Sequence, residues 1–420
     1  MSLTPEPMPP VHSIAGQPPY PQEPDPAELP LKTRLLELFK VTLKIGLTSF
    51  GAPTAHIAMM EREFVRRKKW ISEEHFLDLL AAANLIPGPN ASETCYHVGY
   101  ARAGYPGMIV AGLGFISPSF FIALAVVWVY MTYGGLPQIE GIFYILNPLV
   151  LAIILETTWS IGKASLTGWK QLLIFALAIG AKLLGVNEAL ILIGGGVLGI
   201  LLHHVLVKWK NGVPPAQMML AFLPLPAVTE FADKVLEQTK SAFWDIFIYF
   251  FRTGSILFGS SLVLFALIEE DVVNRFGWVT SQQLTDAISM GQITPGPVLA
   301  ATTFIGYMTS GFWGALAATL GVFLPSFIIV AITAPLVKKM RENHLASSFL
   351  KGINPAVVAL ILFVSYNLGQ NALFQNAQFQ LLPMLMLIGG MVVLFFTEAQ
   401  PYVLVIAGFV IGILRILIIS

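Results

Sequence analysis

Residues 312–337 read FWGALAATLGVFLPSFIIVAITAPLV, twenty-six positions without one charged side chain. A run of that length fixes the solvent before anything else, because a helix rising ~1.5 Å per residue needs ~20 apolar residues to cross a ~30 Å hydrocarbon core. Comparable stretches lie at 107–131, 139–161, 189–207, 246–268, 350–369, 380–396 and 401–419. Only 11% of the residues are charged, fewer than half of the roughly 25% that covers a soluble domain. The expected fold class is therefore an all-α polytopic membrane protein, since lipid offers unpaired backbone groups no partner. The apolar residues run continuously instead of alternating, which argues against strands.

The first thirty-two residues are proline-rich with no apolar core and read as a disordered tail, not a signal peptide. Cys95 is the single cysteine, and no ligand spacing for zinc or haem is present. His203 and His204 are adjacent, which suits one helix facing two ways better than one metal. No metal, no cofactor and no nucleic-acid partner is expected; the bilayer and a small anionic solute are, and a homo-oligomer is allowed.

Two proline-glycine-proline knots, NLIPGPN at 84–90 and QITPGPV at 292–298, interrupt apolar sequence in the same way. They belong to an internal repeat. A shift of 208 carries Gly46 to Gly254, Glu61 to Glu269, Trp70 to Trp278, Asp78 to Asp286 and Gly88 to Gly296. After one deletion the shift becomes 207, and carries Gly99 to Gly306, Gly104 to Gly311, Pro118 and Ser119 to Pro325 and Ser326, and Asn147 to Asn354. The expected organisation is a unit at 33–207, a polar linker at 208–245 and a second unit at 246–420.

Charge gives the relative orientation. The loop EREFVRRKKW is strongly basic while its counterpart EEDVVNRFGW is acidic on balance, and the loops after the third segment reverse this, TYGGLPQIEG against KKMRENHLASSFLK. Because Lys and Arg collect on the cytoplasmic side, the units are predicted to be inverted. Inversion needs an odd number of crossings per unit, so one of six segments should enter and leave by the same face, and the knot segment is the choice. That gives about five plus five crossings, with Lys163, Lys170, Lys208 and Lys210 inside. The first segment, about 35–60, is interrupted by Gly-Ala-Pro at 51–53 and either spans as one helix or is broken.

Inverted repeats with broken helices are a recurring transporter plan. Pro-Gly-Pro ends one half-helix and pre-sets the next, leaving free N–H groups and a positive dipole end, a small-anion site in outline. Pro87, Gly88, Pro89 and Pro295, Gly296, Pro297 form the knots, and Asn90, Ser92, Thr302 and Thr303 add side-chain donors. Lys44 and Arg252 correspond under the repeat and either complement a dianion or snorkel to a membrane face. Asp78 and Asp286 lie before the knots and could pair structurally, cap a half-helix or carry a coupled proton. Glu93 and His97 stand at i and i+4 against Ala301 and Ile305 in the second unit; they either enter proton coupling or hydrogen-bond each other. Glu156, Lys163, Lys182 and Glu188 read as helix ends without partners at fixed spacing.

The stretch GLTSFGAPTAHIAMMEREFVRRKKWISEEHFLDLLAAANLIPGPNASE, with its copy GSILFGSSLVLFALIEEDVVNRFGWVTSQQLTDAISMGQITPGPVLA, resembles the chromate ion transporter family in its two-domain form. The resemblance covers nearly the whole chain after the tail. It implies an inner-membrane protein that exports chromate and confers resistance, in competition or exchange with sulfate. The family's motif positions are Phe50, Gly51, Pro53, Trp70, Asn84 and the first knot, then Phe258, Gly259, Trp278, Gln292 and the second knot. Ser261 stands where a proline is expected and Gln292 stands opposite Asn84; these departures bear on whether both copies contact the anion equally. The rivals are a permease for another anion such as sulfate or, from another class, a membrane-embedded reductase. The latter lacks the thiols and the glycine fingerprint such chemistry needs.

Overall fold

The computed structural model describes residues 29–49, 53–133, 137–202, 242–258, 261–337, 344–375, 378–397 and 399–419. The tail to residue 28, most of the linker, His203, His204, Lys208, Lys210 and the motif positions Phe50, Gly51 and Gly259 lie outside the described residues.

The first unit runs α1 Leu31–Thr48, α2 Pro53–Met60, α3 Glu73–Ala83, α4 Asn90–Tyr133, α5 Pro137–Ser165, α6 Trp169–Leu183 and α7 Glu188–Ile200. The second repeats this order: α8 Ala242–Ser255, α9 Val263–Glu269, α10 Ser281–Ile293, α11 Ala300–Thr333, α12 His344–Leu373, α13 Leu381–Phe396 and α14 Pro401–Ile419. The six expected segments are thus seven helices per unit among the described residues, because the first segment is broken between Thr48 and Pro53. An unexpected two-residue ladder, Phe374–Gln375 with Gln378–Phe379, interrupts the otherwise helical chain. Four helices contain stretches long and apolar enough to cross a membrane: Asn90–Tyr133, Gly141–Ser165, Ala300–Thr333 and Ser347–Leu373. The protein is an all-α membrane protein.

The units agree in local detail. α2 and α9 widen into π-helical turns, Glu61–Arg67 and Glu270–Arg275, closed by N–H bonds from Trp70 to the Phe64 carbonyl and from Trp278 to the Val272 carbonyl. Each tryptophan stacks on its neighbour, Trp70 on Phe64 and Trp278 on Phe276. That is where both family-motif tryptophans sit. Ser72 caps α3 and Thr280 caps α10 by accepting from the N–H three residues on.

α4 and α11 are not straight. Gly104 (φ 63°, ψ −153°) and Gly311 (φ 60°, ψ −150°) reverse the chain, a conformation that glycine alone enters cheaply. After the reversal, Cys95 Sγ lies 3.7 Å from the Ala111 carbonyl and Thr303 Oγ1 2.7 Å from Thr319 Oγ1. In a straight helix sixteen residues would separate such atoms by ~24 Å. The short leading arms, 90–102 and 300–309, therefore fold back on long arms that span. At ~1.5 Å per residue, α3 and the leading arm of α4 are each too short to cross ~30 Å alone, and the knot joins them.

Candidate anion site

Each knot is tied to the other unit. Gly88 N–H donates to the Leu257 carbonyl at 2.6 Å, and Gly296 N–H donates to the Ser49 carbonyl at 2.8 Å. Ser49 ends α1 and Leu257 follows α8, so each knot seals the chain break of the opposite copy. The two bonds are equivalent under the shift of 208. Both glycines have positive φ, 145° and 92°. A Cβ on Gly296 would come within 3.0 Å of Ser119 Cβ and 3.2 Å of the Gly46 carbonyl, and one on Gly88 would overlap the Glu93 carboxylate. The chain breaks leave carbonyls that must be satisfied, and the knot-glycine amides are spent on them; the free N–H groups expected of the sequence belong to the residues just after each knot.

The first knot is clasped by Asn90 Nδ2 donating to Asn84 Oδ1 at 2.6 Å, which joins the end of α3 to the start of α4. Behind it Ser92, Glu93, Tyr96 and His97 are buried, with Ser326 reaching in from α11. The Ser326 hydroxyl lies against the Glu93 carboxylate and the Ser92 hydroxyl against that of Tyr96, while neither His97 ring nitrogen has a hydrogen-bond partner among the described residues. The bland alternative for His97, a bond to Glu93, is not what forms. The second knot is better satisfied: Thr302 Oγ1 donates to the Leu299 carbonyl at 2.8 Å, Thr303 meets Thr319, and Gln292 is buried. Ser119 donates to the Ile116 carbonyl. The two units thus supply unequal polar surroundings.

The two cations are engaged by carboxylates. Lys44 Nζ lies 2.5 Å from Glu63, which Arg67 also approaches at 3.3 Å. Arg252 interacts electrostatically with Asp271, the counterpart of Glu63. Both therefore join the first helix of a unit to its π-helical turn, and neither snorkelling nor anion contact is needed to account for them. Asp286 accepts from Tyr130 Oη at 2.8 Å, Asn147 Nδ2 at 2.9 Å and Gln282 Nε2 at 2.9 Å; it is a structural bracket across the units. Asp78 lines a cavity. Lys182 and Glu188 are helix ends as expected, but they form an ion pair with each other.

Sequence reasoning passed over Ser119 and Ser326, although the repeat retains both, and the acidic partners Glu63 and Asp271, which correspond under the same shift as their cations. It also set Glu93 and His97 against Ala301 and Ile305. Gly99 packs on Gly107 as Gly306 packs on Gly314, so the shift of 207 already holds along the leading arm. The counterparts are Ala300 and Phe304.

A profile described as Chromate transporter matches residues 36–200 and 244–413, one stretch in each unit. The chain belongs to the chromate transporter family. Within that family it is 32% identical over 341 residues to a probable chromate transport protein of Synechococcus elongatus, covering 81% of this chain and 86% of the relative. It is 30% identical over 330 residues to a chromate transport protein of Cupriavidus metallidurans, covering 78% and 80%. A chromate transport protein of Pseudomonas aeruginosa is 31% identical over 340 residues, covering 80% and 81%. No solved structure matches this chromate transporter family member.

Proposed function

We infer that the protein is a secondary transporter that exports chromate across a bacterial inner membrane and so confers resistance to it. The observation that carries this reading is the cluster of buried hydroxyls, Ser92, Tyr96 and Ser326, beside a knot that opens a half-helix. Hydroxyl donors at the positive end of a helix suit a small anion, and three relatives are named for chromate transport.

In this reading the units 33–207 and 246–420 are inverted repeats of about five crossings each, with the basic run after α2 on the cytoplasmic side. Pro87, Gly88 and Pro89 shape the approach; Asn84 and Asn90 hold the loop, and Asn90 and Ser92 face the solute. Pro295, Gly296, Pro297, Gln292 and Thr302 form the weaker half. The knot glycines admit the anion by lacking a side chain, not by donating. One chain suffices, since each unit completes the other, and a homo-oligomer would multiply sites without building one. The protein is not an enzyme; the membrane potential, a proton gradient or counter-anion exchange supplies the energy.

Sulfate is a tetrahedral dianion of similar size, and neutral donors discriminate little between the two. The test is accumulation of radioactive chromate by energised inside-out vesicles, with and without excess sulfate. Accumulation above empty vesicles that sulfate suppresses is expected. No accumulation under any gradient sinks the reading.

A further inference from the structure

Between the two arms that lead into and out of the first knot lies a cavity of about 490 Å³ lined by Glu74, His75 and Asp78 from α3, His97 and Tyr100 from α4, and Val337. His75 and Glu74 are exposed, while His97 is 1% exposed and has neither ring nitrogen bonded. The cavity therefore runs from solution to an unpartnered buried imidazole. One helical turn back from it stands Glu93, fully buried, its carboxylate against the knot glycine and the Ser326 hydroxyl and paired with no cation among the described residues.

The same volume in the other unit is closed. Under the repeat, Asp78, His97 and Val337 become Asp286, Phe304 and Tyr130. There the Tyr130 and Phe304 rings pack with centroids 5.1 Å apart, and Tyr130 Oη bonds Asp286. One of two equivalent positions is filled by aromatic rings; the other is left open and fitted with an imidazole and an acid.

An ionised Glu93 at this half-helix start would occupy the favourable field that an anion needs and repel a dianion directly. We propose that Glu93 takes its proton from solution through the cavity and His97, and that the anion enters the first knot only when Glu93 is neutral. The proton arrives from water at one His97 ring nitrogen, leaves from the other, and ends on a Glu93 carboxylate oxygen; His97 is left neutral. The two side chains are not bonded, so transfer requires a rotamer change or a bridging water. Other charged groups packed near α4 are engaged elsewhere. On α1, Arg34 donates to the Arg102 carbonyl, Glu37 pairs with Arg102, and Lys44 pairs with Glu63. On α2, His56 packs on Phe115; α10 offers the bracketed Asp286, and α11 carries no carboxylate, histidine or basic residue.

This inference rests on the chromate reading of the knots, and its test separates the two. Full-length protein in proteoliposomes is assayed for chromate counterflow, and in nanodiscs for proton uptake by a pH-indicator dye on adding chromate at about pH 8, where chromate is a dianion. The wild type is expected to counterflow chromate and take up about one proton per chromate bound, a linkage that must appear if protonation and binding are coupled. E93Q should bind chromate without proton uptake. H97F, and V337Y, which copies the ring that plugs the other unit, should slow proton uptake at least about tenfold at unchanged stoichiometry, as an obstructed route requires. Counterflow with no proton uptake in the wild type, or wild-type uptake in E93Q, overturns the proposal alone. Absence of counterflow in the wild type overturns the chromate reading and the proposal together.

Discussion

At Gly88 and Gly296 the proposed anion site depends on a missing side chain. Their positive φ already disfavours any L residue, and a side chain at either would press on groups of the site. Gly88→Leu and Gly296→Leu are expected to abolish chromate flux while the amount inserted in the membrane is unchanged; wild-type flux in both would remove the site. Lys44 carries the opposite expectation. With its ammonium on Glu63 and nearly half its side chain exposed, Lys44→Gln should lower thermal stability by on the order of 1 kcal/mol or less. Apparent chromate affinity should stay within about twofold, because the proposed site is built of neutral groups and this cation is paired with Glu63. A tenfold loss of affinity, measured by chromate competition, would return Lys44 to the anion site. The knots were readable from sequence because Pro-Gly-Pro has so few helical meanings; the partners of Lys44 were not, since Glu63 is nineteen residues away across a chain break.

Among the helices, the reversals at Gly104 and Gly311 decide whether each knot can reach the interior. Their φ/ψ values belong to a region nearly closed to L residues, and Gly311 has open space where a Cβ would go. Gly311→Ala therefore tests backbone strain almost without a clash, and should destabilise by about 1–3 kcal/mol, read as a fall in the thermal midpoint of the purified protein. A midpoint equal to wild type would mean that the turn relaxes freely. Asn147→Ala tests the bracket on Asp286. It removes one of three donors to a buried carboxylate and the acceptor of Ser289 Oγ, and about 1–3 kcal/mol is again expected from the lost polar satisfaction. The repeat displayed Gly104 and Gly311 as a pair, but a glycine in a membrane helix is usually a packing contact, so sequence alone did not distinguish a reversal from a close approach.

For the whole molecule, the consequence is mutual completion. Knot one closes on Leu257 and knot two on Ser49, while Tyr130 and Asn147 of the first unit hold Asp286 of the second. A chain cut inside the linker 208–245 should transport chromate when the two halves are co-expressed, and neither half should do so alone. Flux from a single half would contradict the crossed arrangement, because half the bonds at each knot would then be missing.

Length and apolarity of the segments determined by themselves that this chain lives in lipid as helices, since no other backbone satisfies its own hydrogen bonds there. Prolines and glycines determined where those helices break, because their covalent geometry acts locally. Which break meets which knot, how Asp286 comes to be bracketed by the other unit, and why Glu93 stands buried against Gly88 and Ser326 were decided by tertiary structure alone. These are contacts between residues far apart in sequence, set by how two nearly equal units pack, and where Val337 and His97 line a cavity in one unit, their counterparts Tyr130 and Phe304 pack ring on ring in the other.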